Sequence, residues 1–169
     1  MMFVVVALEL IVLVGLQASG KRTFVRERFA ATHDHVSKDL FRNNRDRNRR
    51  QTQLIRAALV VGRSVVVDNP NPTVEDRRAP IRLGREFGAR IVGCFFESEP
   101  YESLRRNDRR EGRARVPAVA VFATAKRLAP PSLEEGFDEL FRVRLLASGF
   151  DVRSFGDDAA ERNDSRETT

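Results

Sequence analysis

The stretch VLVGLQASGKRTF, from Val12 to Phe24, decides the fold. Gly15, four residues, Gly20 and Lys21 match the G-x-x-x-x-G-K spacing of a phosphate-binding loop. The motif demands a strand before it and a helix after it. Here the apolar run ELIVLV leads in, and a helix expected from about Lys21 to Ala30 leads out. The glycines let successive backbone N–H groups turn inward as a nest for a β-phosphate. Ala18 and Ser19 complete the loop, and the helix N-terminus adds its own unpaired donors. Lys21 is then the side chain that reaches the β- and γ-phosphates.

One position departs from the pattern. Arg22 stands where a serine or threonine hydroxyl normally touches Mg²⁺, and a guanidinium has no lone pair and repels a cation. Thr23 lies one residue further, about 100° around the helix, so it cannot take over that place without a register shift. Three readings stand open. The metal is held by water and carboxylates with Arg22 turned outward; or Arg22 itself neutralises phosphate charge; or turnover is lost. The candidate nucleotide-binding set is Gly15, Ala18, Ser19, Gly20, Lys21, Arg22 and Thr23, with ATP and Mg²⁺ as the expected ligands.

Working outward, ELIVLV, HVS, SVVVD, RIVGCFF and ELFRVRL read as strands separated by segments mostly of helical length. Apolar strands alternating with helices argue for a parallel sheet covered on both faces. Leu54, Ile55, Ala58 and Leu59 form the apolar stripe of the second connection, which Gly62 closes. Thr73 is a helix N-cap candidate answered by Asp76, and Ser132 with Glu135 forms a capping box. Pro80 argues against a straight helix there. YESLRRNDRR and VPAVAVFATAKRL read as a helical pair around the polar hinge EGRAR. One domain is expected over residues 1–150, with a lid at about 101–128 and a flexible tail over 151–169. The apolar start, MMFVVVAL, is too short and too soon interrupted by Glu9 for a membrane span, and residues 1–8 have no assigned place.

Composition narrows the partners. The net charge is +6, and 27 of the 30 basic residues are arginine, whose planar fork grips phosphates in pairs. That balance fits a nucleotide or nucleic-acid partner without requiring one. Cys94, the single cysteine, lies in an apolar run; no disulfide framework can form, and a reducing cytoplasm is the expected compartment.

Three acidic and basic groups carry candidate chemistry. Asp68 closes the strand SVVVD, well placed to hold metal-bound water near a γ-phosphate, or else to begin a turn with Asn69 and Pro70. Asp39 and Arg42 are three apart in VSKDLFR, which fits a proton-accepting carboxylate beside a cation that orients the acceptor. They fit equally a local ion pair. LRRNDRREGRAR holds six arginines, with Arg106 and Arg110 one helical turn apart; it reads as a mobile basic lid, or as a solvated helix. RNNRDRNRR is a second basic cluster, and together the two could line a groove for a polyanion. His33 and His35 read as surface or strand-end residues rather than zinc ligands.

Taken together, GLQASGK, VSKDLFR, VVVDNPNPT, REFGARIVGCFFE, LRRNDRR and VPAVAVFATAKRL resemble the AAA-type P-loop kinases of the polynucleotide kinase class over about residues 9–145. The resemblance implies a P-loop NTPase fold, a three-layer α/β/α sandwich whose five-stranded parallel sheet has the order 2-3-1-4-5. It implies Lys21 as the loop lysine, Asp39 as general base, Arg42 as the acceptor-phosphate contact, Arg106 and Arg110 as lid arginines on the donor phosphates, and Asp68 as the carboxylate after the third strand. Arg22, and Pro70 in place of a threonine, depart from the family pattern. No room is left for a phosphatase domain, so at most the kinase half of an end-healing activity is implied. The expected function is transfer of the γ-phosphoryl of ATP to a hydroxyl, either a single-stranded nucleic-acid 5′ end or a small acceptor such as a nucleoside. The alternative is a nucleotide-binding protein that has lost turnover through Arg22.

Overall fold

The computed structural model describes residues 6–156. The elements follow as β1 (Glu9–Val14), α1 (Lys21–Arg28), β2 (His33–Val36), α2 (Arg47–Val60), β3 (Ser64–Val67), α3 (Val74–Glu86), β4 (Arg90–Phe96), α4 (Pro100–Asp108), α5 (Ala118–Arg127), β5 (Glu139–Leu146) and β6 (Gly149–Ser154). Short 3₁₀ turns occupy Lys38–Phe41, Gly112–Ala114 and Leu133–Glu135.

The strands form one six-stranded sheet in the order β2-β3-β1-β4-β5-β6. β1 lies in the middle, parallel to β3 on one side and β4 on the other, with Ile11 opposite both Val66 and Val92. Its side chains are buried on both faces, which is why the run is continuously apolar. Leu10, Val12 and Val14 join Ile55 and Leu59 of α2 and Ile81 and Leu83 of α3. Ile11 and Leu13 join Phe24 and Val25 of α1 on the other face. Cys94 is buried there, and burial pushes its thiol pKa up to about 12, so it is an unreactive core residue.

The expected five-stranded sheet needs correction: a sixth strand, β6, pairs antiparallel with β5 through a tight turn after Leu146. The tail expected from residue 151 therefore begins inside a strand, and the ordered sheet runs past residue 150. GFDVRS shows only two large apolar residues among glycine, charge and serine, so no strand pattern stands out. Phe150 gives β6 its purpose. It packs edge-on against Phe24 at 5.1 Å and Phe96 at 6.4 Å, filling the α1 face. Residues 1–5, for which no place was expected, and 157–169 lie outside the described residues.

Local caps behave as their chemistry dictates. Thr73 Oγ1 accepts from Asp76 N–H at 3.2 Å while Asp76 Oδ2 accepts from Thr73 N–H at 3.1 Å, so aspartate completes the reciprocal box. α3 continues through Pro80, although that residue offers no N–H to the helix ladder. α2 starts earlier than the apolar stripe alone requires, at Arg47, because Asp46 caps it by accepting from Arg49 N–H at 2.9 Å. Among the described residues no helix is long and apolar enough to cross a membrane.

Candidate active site

The phosphate loop sits at the C-terminal end of β1, where the strand stops at Val14 and α1 starts at Lys21. Gly15 is held by its N–H donating to Pro70 O at 2.9 Å, and a Cβ on it would come within 2.8 Å of Phe96 Cβ. Gly20 has φ +100°, a left-handed conformation that glycine adopts without strain, and a Cβ there would press on Phe150. Gly20 caps α1 with no side-chain hydrogen bond, and no acid occupies the first turn. The first N–H groups of the helix are thus left to whatever anion the loop receives. Ala18 holds φ +58°, uncommon for a residue with a side chain, and its carbonyl accepts from Arg106 Nε at 2.7 Å.

Lys21 is buried, its Nζ donating to the carbonyls of Gly15, at 2.9 Å, and Leu16, with Ser19 Oγ at 3.4 Å. Burial lowers its pKa from 10.5 to about 8; nearby Asp68 and Asp39 oppose the shift and Arg110 adds to it. Without nucleotide, that burial penalises the folded chain fully below about pH 8, and the penalty lifts as pH rises towards 10.5. A phosphate anion favours the charged form. ATP binding at pH 9 is therefore expected to take up a proton, and affinity is expected to fall as pH rises through 8. Titration calorimetry in buffers of different ionisation enthalpy measures the uptake, and Lys21→Ala should abolish it along with most of the affinity.

Two carboxylates approach this lysine. Asp68, just past β3, is 8% exposed, and its Oδ2 lies 3.0 Å from His35 Nε2. Asp39, in the 3₁₀ turn after β2, is exposed, with Arg42 Nη2 at 3.5 Å from its Oδ1. Both line a cleft of about 340 Å³ with Gln17, Asn69, Thr124 and Arg127. Asn69 and Asn71 brace the wall. Asn69 Oδ1 accepts from Lys38 N–H and its Nδ2 donates to Gln51, while Asn71 Nδ2 donates to Leu13 O at 2.7 Å. Pro70, the departure from the family pattern, contributes the carbonyl that anchors Gly15.

The arginines divide. Arg106 ties the loop to the segment after β4, donating to Ala18 O and to Ser98 Oγ at 2.7 Å. Arg110 does not share a helix face with it, because α4 ends at Asp108; there Asn107 accepts from Val116 N–H at 2.9 Å and donates back to Val116 O. Arg110 is half-buried beyond the helix, and its pKa is lowered by burial and by nearby Arg22, against the pull of Asp39 and Asp68. Lys21, Asp39, Asp68, Arg22 and Arg110 are thus electrostatic neighbours. Arg42 Nη1 donates to Arg113 O at 2.7 Å, linking the turn that carries Asp39 to the polar segment between α4 and α5. Arg22 itself is exposed and lines a second hollow, between α1 and β2, and Thr23 is half-buried.

His35 is the residue that sequence reasoning missed. It lies on β2 opposite Val66 of β3, two residues before Asp68, so parallel pairing brings it to that carboxylate. The one signal for it was a histidine on a strand expected to neighbour SVVVD. Among the described residues no group of three or more His, Cys, Asp or Glu side chains could hold a metal unaided. Mg²⁺ carried on nucleotide phosphates asks the protein for only one or two carboxylates, and Asp68 at the end of β3 fits that demand; the hydroxyl usually beside it is missing.

A curated relative, the bifunctional polynucleotide phosphatase/kinase of Schizosaccharomyces pombe, is 30% identical over 143 residues, covering 80% of this chain. The chain spans about a third of that relative's length, 33%. Among solved structures, a gluconokinase from Sinorhizobium meliloti 1021 superposes with a TM-score of 0.59 at 17% identity, covering 80% of this chain and 82% of that one. A fungal RNA kinase superposes at 0.62 and 14% identity, covering 83% and 77%. Both share the fold. The family model described as AAA domain matches residues 10–131, from β1 through the phosphate loop to just past the helical pair, and the chain belongs to that family.

Proposed function

We propose that the chain is an ATP-dependent phosphotransferase that passes the γ-phosphoryl group to a hydroxyl acceptor, with the 5′-hydroxyl of a polynucleotide as the acceptor. The observation that carries this reading is the convergence of Lys21, Asp39, Asp68 and Arg110 around one phosphate loop. The relative's name supports the acceptor class. In this reading the loop amides and Lys21 hold the β- and γ-phosphates. Asp39 takes the proton of the attacking hydroxyl, Arg42 fixes a phosphate of the acceptor, Arg110 brings positive charge to the transferring group, and Arg106 holds the loop around the donor phosphates through Ala18 O. Asp68, oriented by His35, would hold Mg²⁺ through water; the ion supplies charge neutralisation on the phosphates. The segment from α4 to α5 acts as the lid that excludes water.

Incubation with labelled ATP, Mg²⁺ and 5′-hydroxyl DNA and RNA oligonucleotides tests the reading, the expected product being 5′-labelled oligomer. Transfer to free nucleosides alone would replace it with a small-acceptor kinase, and ATP binding without any transfer would replace it with a nucleotide-binding protein. Arg22 has its own test. Arg22→Ser restores the hydroxyl, and the expected result is a lower Mg²⁺ concentration for half-maximal rate, with tighter Mn²⁺ binding in the ATP complex read by electron paramagnetic resonance. An unchanged metal requirement would show that water and Asp68 already suffice.

A further inference from the structure

A hollow larger than the phosphate cleft lies beside it. It is a groove of about 670 Å³ between α1 and the open edge of β2, lined by Arg22, Arg26, His35, Val36, Leu40 and Leu54 among others. Its volume lies in the range of about 300–1,000 Å³ typical of small-molecule sites. It adjoins the reacting centre at three points. Leu40 follows Asp39 directly, His35 lines the groove while touching Asp68, and Arg22 is close enough to Arg110 to repel it. Resting on the phosphotransferase reading, we propose that this groove seats the 5′-terminal nucleotide of a single-stranded polynucleotide, its base against Leu40 and Leu54 and its first phosphates on Arg22 and Arg26.

The unpaired cations come from α1, and the exposed apolar surface from the opposite side. Arg22 and Arg26, four apart, share one face of α1. Neither makes a hydrogen bond or an ion pair among the described residues, whereas Arg56, Arg63, Arg85 and Arg90 each have a carboxylate partner. Asp34, the acid in the groove, has its charge answered by Arg63 at 3.0 Å. The wall is thus left net positive. The facing wall combines His33, Asp34 and His35 of β2 with the apolar Val36, Leu40 and Leu54, and Leu40 is 61% exposed in a segment otherwise rich in charge. An unpaired cationic wall facing an uncovered leucine matches a ligand that is flat and apolar on one side and multiply anionic on the other. From Arg22 to Arg26 the groove follows α1 for about 6 Å, roughly one helical turn, and it continues past the helix end to Ala30. A free nucleoside brings no phosphate to meet the arginines. Position 22 has, on this view, exchanged a metal-facing hydroxyl for an acceptor-facing guanidinium.

The test uses the full chain, a short 5′-hydroxyl oligodeoxynucleotide and labelled ATP. Arg26→Glu, an exposed change outside the phosphate loop, is expected to raise the oligonucleotide KM about tenfold or more. The kcat and the ATP KM should hold, and the slope of log affinity against log salt should shrink by about 0.7 for the one phosphate that position 26 no longer neutralises. Leu40→Asp should also raise the oligonucleotide KM, since it places an acid where the base and phosphates sit. Arg56→Glu, an equal charge change on the opposite face of the sheet, should leave that KM unaltered. If the wild-type protein labels the oligonucleotide and both groove variants keep its KM within twofold, the groove assignment fails and the kinase reading survives. If the wild type labels nucleosides but no oligonucleotide, the groove assignment falls with the polynucleotide version alone. If it labels nothing, both fall.

Discussion

Asp39→Asn is expected to lower kcat for phosphoryl transfer by about 10²–10⁴-fold, the range of a lost general base, while ATP affinity changes little. The amide keeps the shape but cannot take up the hydroxyl's proton at neutral pH. Asp39 suits that role by place. It stands in an exposed 3₁₀ turn, near enough to Lys21 to oppose its pKa shift, with Arg42 beside it as an ion-pair partner. Steady-state kinetics with the acceptor, paired with direct ATP binding, separate loss of chemistry from loss of nucleotide. A rate within tenfold of wild type would leave the carboxylate as a mere helix-turn ion-pair partner.

Arg77→Ala is expected to destabilise the fold by about 3–5 kcal/mol, because it leaves a buried carboxylate and two carbonyls without their donor. Arg77 is fully buried, forking onto Glu135 through Nε at 2.7 Å and Nη2 at 2.8 Å. Its Nη1 donates to Asn71 O at 2.9 Å and Ala129 O at 3.2 Å. One guanidinium therefore joins α3, the loop behind Pro70 and the chain after α5. For a chain of this size the loss corresponds to a midpoint lower by roughly 6–20 °C, measurable by thermal or urea unfolding. The double change Arg77→Met with Glu135→Leu is expected to recover much of the loss, since an apolar pair of similar volume is often as stable as a buried ion pair. Equal destabilisation by single and double variants would instead assign the effect to the orphaned carbonyls of Asn71 and Ala129.

How much of this was legible in the residues follows from the range of each interaction. The phosphate loop and its flanking strand and helix could be read because every requirement lies within a dozen neighbours: two glycines, a lysine and an apolar strand. The five parallel strands could be read because burial on both faces makes most of them apolar. β6 could not, because its one large contribution, Phe150, is meaningful only against Phe24 and Phe96 from two other elements. Arg77 resembled its surface neighbours, and nothing local announces that Glu135 will meet it. The expected alignment of Arg106 with Arg110 failed because Asn107 turns its side chain to Val116 and the helix stops. Arg106 donates to Ala18 O of the loop, while Arg110 lies within electrostatic reach of Asp39 and Asp68.

The packing of Phe150 behind Gly20 also has a bearing on how the molecule comes into being. The phosphate loop is synthesised before its backing, with β2 to β5 lying between Gly20 and Phe150. A nascent chain that ends before Gly149 carries the whole glycine-lysine motif on a helix whose Phe24 still lacks one of its aromatic neighbours. On the proposed function, nucleotide is then a poor chaperone for the growing chain, and ATP binding is expected to report that β6 has closed behind the loop.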